Sequence, residues 1–202
     1  MTRNVGIFLF PEVEVLDFCG PFEVFTTASR VSQRLKPNAV APFEVFSIAE
    51  SDAVVRARAG LRIAPDHTVN HHPRLDALIV PGGVIDAELH KPHVLTWIAQ
   101  CASEAEVVAS VCTGAFILAK AGVVKTGQVT THWEDQADLA RMFPALDVVS
   151  GPRWVEQERL FTSAGISAGI DLSLHLVSRL GSQLLAQATA RQMDYPWVSP
   201  PG

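Results

Sequence analysis

Cysteine is scarce in this chain. There are three, Cys19, Cys101 and Cys112, an odd number spaced far apart. They form neither a disulfide framework nor a zinc-ligand pattern, so a reducing cytoplasm is the expected setting. Long apolar runs are missing too. No window approaches the ~20 residues of a membrane span, and Val5–Phe10 is too short for the core of a signal peptide. Positive charge is in deficit, with 16 Lys and Arg against 21 Asp and Glu, a net charge of −5. The two signs are interspersed without a basic stripe, which disfavours nucleic acid and anionic membrane as partners. No low-complexity tract argues for disorder. What is present is 48% hydrophobic residues in a chain of 202. That suffices for one domain, 1–202, burying roughly two-thirds or more of its unfolded surface.

The pattern alternates strands and helices. Val5–Phe10 reads as a buried strand closed by Pro11, followed by a helix over Leu16–Ala28 with an irregular entry at Gly20-Pro21. Pro37–Pro42 is a loop and Phe43–Ala49 a second strand. Val54–Arg58 and Leu61–Ala64 suit a hairpin turned at Gly60. LDALIVPGG gives the sharpest buried strand, Asp76–Val80, stopped by Pro81-Gly82-Gly83. A helix after Pro92 places Leu95, Ile98 and Ala102 on one face. Glu106–Ser110 is a strand and Thr113–Ala121 a helix ended by Gly122. Arg153–Thr162 reads as a hairpin and Ile166–Leu180 as an apolar helix. Such alternation predicts an α/β three-layer sandwich: a mostly parallel, flavodoxin-like sheet with helices on both faces.

VVASVCTGAFILAKAG sets Cys112 between a buried strand and a helix, with Gly114 two residues on. That is the pattern of a nucleophile elbow at the carboxyl end of a sheet. The start of the following helix is expected to favour the thiolate. Cys101, mid-helix, reads as a small apolar residue. A thiol nucleophile also needs proton handling and a place for negative charge. Asp17 in EVLDFCGPFEV is the first candidate carboxylate, although it would serve equally as a helix N-cap. Glu23, six residues on, is the second. Gly82-Gly83 either bring backbone N–H groups to a substrate or form a plain turn. His67, His71 and His72 lie in a polar loop, HTVNHHP, without the spacing of a metal site.

The motifs FLFPEVEVLDFCGPFEVF, IVPGG, SVCTGAFILAKAG, TTHW, FTSAGISAGIDLSLHL and MDYPW occur in this order over nearly the whole chain. By them it resembles the ThiJ/PfpI superfamily, related in fold to class I glutamine amidotransferases, and within it the isocyanide hydratase branch. The resemblance implies Cys112 as nucleophile, Asp17 as acid/base partner and Thr113 hydrogen-bonding within the site. The backbone around Gly82, Gly83, Gly165 and Ile166 would shape the pocket, with His132 lining it or serving the structure. It further implies a homodimer, a small-molecule substrate, and hydration of isocyanides to N-substituted formamides without cofactor or metal. An apolar pocket is the expectation for such a substrate. Thr113 stands where the peptidase-like branch has histidine, which argues against proteolysis. Cys19 reads as buried and inert. Two other functions use the same motifs. One is ligand sensing, as in the amino-terminal domain of arabinose-regulator-type transcription factors, whose helix-turn-helix module is not expected in a sequence ending at Gly202. The other is a glyoxalase or deglycase acting on α-oxoaldehydes, which usually has glutamate at the position of Asp17.

Overall fold

In the computed structural model, which describes residues 1–197, the chain builds an α/β sandwich around a mostly parallel sheet. The last five residues of the expected domain, 198–202, lie outside the described residues. In chain order the elements begin with β1 (Arg3–Leu9), α1 (Val15–Leu35), β2 (Phe43–Ala49), β3 (Val55–Arg56), β4 (Arg62–Ile63) and β5 (His67–Thr68). There follow β6 (Ala77–Val80), α2 (Pro92–Glu104), β7 (Val107–Val111), α3 (Gly114–Lys120), β8 (Gly127–Val129), α4 (Gln136–Met142) and β9 (Leu146–Val148). The chain closes with β10 (Trp154–Gln157), β11 (Leu160–Ser163), α5 (Ala168–Leu180) and α6 (Gln183–Gln192).

The main sheet has the order β10-β11-β7-β6-β1-β2-β5, and every neighbouring pair is parallel except β10 with β11. Strands β2-β1-β6-β7-β11 repeat the flavodoxin-like order, in which the chain reverses direction across the sheet after β2. Right-handed crossovers therefore send α1 and α2 to opposite faces. Helices α1, α5 and α6 pack together, and α2 packs on α3. Central strands β6 (ALIV) and β7 (VVASV) are buried at every position, as strands covered on both faces must be. The carboxyl ends of β1, β6, β7 and β11 open on one rim.

Four local expectations need correction. Helix α1 runs through Pro21 to Leu35, because Val24, Phe25, Ala28 and Val31 continue its buried face and outweigh the hydrogen bond that proline forfeits. The hairpin at Gly60 keeps only two-residue strands, with a short 3₁₀ turn at Arg58–Gly60. Helix α5 starts at Ala168 rather than Ile166, whose φ of 48° lies in the left-handed region. Helix α6, and the smaller β8–β9 pair with α4, carry too little apolar signal to be read in advance.

Candidate active site

Cys112 sits at the turn between β7 and α3 with φ at 54°, a left-handed conformation that costs a non-glycine residue energy and must be held from outside. Its N–H donates to the carbonyls of Ser163 and Ala164 at 3.2 and 3.3 Å, and its carbonyl accepts the Thr131 hydroxyl at 2.7 Å. The elbow is therefore pinned by β11 on one side and by the segment after β8 on the other. The side chain is 7% exposed.

Asp17 lies in the first turn of α1, fully buried; the N-cap position belongs to Glu14. Its Oδ2 accepts the Gly82 N–H at 3.0 Å. Oδ1 is buried without a partner in hydrogen-bond geometry, although the Cys112 thiol is close enough to interact with the carboxyl. Burial pushes Asp17 up to about 7, against the opposing pull of the Gly82 N–H. A carboxyl in that range takes and returns a proton near neutrality.

The resting state of Cys112 differs from the expectation. Burial first, and the charge of Asp17 second, push its thiol up to about 12. The backbone N–H groups of Thr113 and Ile166 near the sulfur pull the other way without prevailing. Whatever the helix start contributes toward the thiolate, burial of the sulfur, with the charge of Asp17 second, outweighs it. Cys101 and Cys19 are raised by burial as well.

The Pro81-Gly82-Gly83 turn also acts differently from the expectation that its N–H groups meet a substrate. The Gly82 N–H is committed to Asp17, and the Gly83 N–H donates to Thr113 Oγ1 at 2.9 Å. Thr113 returns a bond to the Gly83 carbonyl at 3.0 Å, which clamps the end of β6 to the elbow. A Cβ on Gly82 would stand 2.5 Å from the Thr113 nitrogen and 2.9 Å from Cys112 Cβ. Gly83, at φ 136°, runs against the backbone of Glu12–Glu14. These glycines bring the acid-bearing and thiol-bearing loops together.

A cavity of 230 Å³ opens above the sulfur, bounded by Cys112, Thr113, Gly83 and Ile166 below. His132 forms one wall, its ring pressed on Gly165 so closely that a Cβ there would meet Cδ2. The remaining lining is charged: Glu14, Arg58, Glu134 and Asp135. This corrects the expected apolar pocket, and none of these four was singled out from the sequence. Glu14 pairs with Arg58 at 3.2 Å, and His132 Nδ1 lies 3.3 Å from Asp135 and 3.7 Å from Glu134.

The other candidates lie elsewhere. Glu23 is spent on Thr27 and Arg30 at the surface. Cys101 approaches His72 at 3.9 Å, and His72 accepts the Trp97 indole N–H at 2.8 Å. His67 meets the Phe46 ring edge-on. A larger hollow of 700 Å³ lined by Arg153, Trp154 and Tyr195 holds no thiol, and its acid, Asp171, is taken by Arg153 and the Tyr195 hydroxyl.

Residues 3–179 match the model of the DJ-1/PfpI family. The chain belongs to the DJ-1/PfpI family. Among its relatives is isonitrile hydratase of Pseudomonas putida, 33% identical over 99% of this chain and 82% of that protein. Another is the HTH-type transcriptional regulator GbdR of Pseudomonas aeruginosa, 30% identical over 96% of this chain but only 51% of the regulator. In three dimensions, a ThiJ/PfpI family protein from Pseudomonas syringae matches all of this chain and 78% of its own, with a TM-score of 0.84 at 29% identity. Drosophila melanogaster DJ-1beta, 19% identical with a TM-score of 0.83, covers 98% of this chain and all of its own, and shares the fold. Among the described residues, no helix is long and apolar enough to cross a membrane.

Proposed function

We propose that this DJ-1/PfpI protein hydrates isocyanides to N-substituted formamides, with Cys112 as nucleophile and Asp17 as proton carrier. The observation that carries the reading is the fully buried Asp17, poised near neutrality beside a protonated thiol. As the sulfur bonds to the terminal carbon of R–N≡C, Asp17 takes the S–H proton and returns it to the same carbon. The product of this half is the thioimidate Cys112–S–CH=N–R. Water then adds to that carbon, losing a proton through Asp17 while the nitrogen gains one. Collapse breaks the C–S bond, releases R–NH–CHO and restores the thiol. The N–H groups of Thr113 and Ile166 hold the sulfur as it leaves. The chemistry balances without a cofactor, and Gly82, Gly83 and Gly165 serve it by close packing.

The proposal takes the chain as one domain acting in a reducing cytoplasm, where its three cysteines stay free. It also takes the protein as a homodimer, by family resemblance. Light scattering should therefore give twice 21.8 kDa, and a monomer mass at all concentrations would refute the assembly.

A second reading has one observation behind it: the likeness to GbdR over 96% of the chain. A sensor would bind a small molecule without consuming it. Incubation with an aromatic isocyanide, and separately with methylglyoxal, decides between the readings. Formamide from the isocyanide is the expected result. Consumption of methylglyoxal alone would favour a glyoxalase, and binding without turnover of either would favour the sensor.

A further inference from the structure

The cavity above Cys112 is not neutral. Three carboxylates, Glu14, Glu134 and Asp135, share it with a single guanidinium, Arg58, and with His132. Apart from His132, whose ring nitrogen faces two of the acids, three carboxylates against one guanidinium give the lining a net charge of −2. Arg58 is already engaged by Glu14 at 3.2 Å, so the excess negative charge resides on Glu134 and Asp135. Both stand on the His132 side of the cavity, and Asp135 acts electrostatically on the Cys112 sulfur itself. Carboxylates on the wall of a small cavity favour a cationic occupant, because they attract its charge where little water screens it. An anionic substrate would meet the same carboxylates as repulsion.

We propose that the substrate entering this cavity carries an ammonium or alkylated amine, read by Glu134 and Asp135 on its His132 wall. The inference rests on the hydratase reading for its chemistry, but the charge preference is a separate property of the same cavity. Glu134 and Asp135 are specificity residues in this scheme, acting on the remote end of the substrate.

Three isocyanides of different charge supply the test: 3-(dimethylamino)propyl isocyanide, cyclohexyl isocyanide and isocyanoacetate. Wild type should show kcat/KM on the order of tenfold higher for the cation than for the neutral compound, from two partly exposed carboxylates. Isocyanoacetate should be the poorest of the three. The double variant E134Q/D135N should bring the cation-to-neutral ratio close to one, and 0.5 M salt should shrink the wild-type ratio by screening. A wild-type ratio near one, or a preference for isocyanoacetate, overturns the proposal while leaving the hydratase intact. Binding of the same three compounds to Cys112→Ala, followed by calorimetry, reads the preference without chemistry. If nothing is turned over, the hydratase reading falls, and tighter binding of the cation still upholds the charge assignment. Equal binding of all three refutes it.

Discussion

Asp17→Asn should lower isocyanide turnover by ~10²–10⁴-fold, the usual worth of general acid–base help, while making Cys112 easier to alkylate. The two effects separate because Asp17 does two things. As a proton carrier it speeds both halves of the reaction. As a buried negative charge it is one of the causes holding the thiol up at about 12. Its removal lowers the thiol pKa. At pH 8.5, where Asp17 is charged, iodoacetamide should react with Cys112 some tens of fold faster in the variant: close charges at an effective dielectric of about 20 interact by ~4 kcal/mol, and the weaker nucleophilicity of a less basic thiolate offsets roughly half of that. The same variant should be more stable than wild type above pH 7. Asp17 is 3.8 in the ordinary state and about 7 when folded, so the protein carries its penalty once pH rises through 7 and is free of it below pH 3.8. That penalty is on the order of 4 kcal/mol, and asparagine would recover part of it while still accepting the Gly82 N–H. Turnover, alkylation and melting temperature measured together read all three. If turnover and alkylation fell in parallel, Asp17 would be an activator of the thiol and not a carrier.

The second large effect is expected from Cys112→Ala: turnover falls to the uncatalysed background with every isocyanide, since no other group in the cavity is placed to form the thioimidate. Serine should not rescue it, because an alkoxide in this buried acidic site is harder to reach than a thiolate. Neither change opens a large cavity, so circular dichroism and melting should stay close to wild type. Residual activity above about 1% of wild type in a folded Cys112→Ala variant would mean that the chemistry lies elsewhere.

The elbow was legible because its determinants are local. A buried strand, one cysteine and a small residue two positions on lie within five consecutive residues, Ser110 to Gly114. The parallel sheet was legible for a similar reason: LDALIV and EVVASV are short apolar runs bounded by breakers. Asp17 was visible as a carboxylate beside a strand end but not as a buried one, because burial is imposed by Gly82 and the elbow, 65 and more residues away. The same distance hid the resting state of Cys112: the helix start is written beside it, whereas the burial that chiefly raises the thiol, and the acid second to it, come from remote segments. Arg58 comes from a turn between two-residue strands, and Glu134 and Asp135 from a 3₁₀ turn in a stretch without apolar periodicity. Nothing in the spacing of these residues announces that they meet over one sulfur. Helix α6 escaped because it buries only Ala186, Thr189 and Ala190, which make no apolar stripe.

Hydration by this route passes through a covalent bond between Cys112 and the isocyanide carbon. Rapid acid quench of Asp17→Asn during reaction with an aromatic isocyanide, followed by peptide mass spectrometry, tests it directly, since the variant is slowed in hydrolysing the intermediate as well as in forming it. The proposal requires a mass increase equal to the whole isocyanide on the peptide bearing Cys112, absent from the Cys19 and Cys101 peptides and absent when Cys112 is alanine. Formamide released by wild type, with the adduct on another residue or on none at any time of quench, would contradict it.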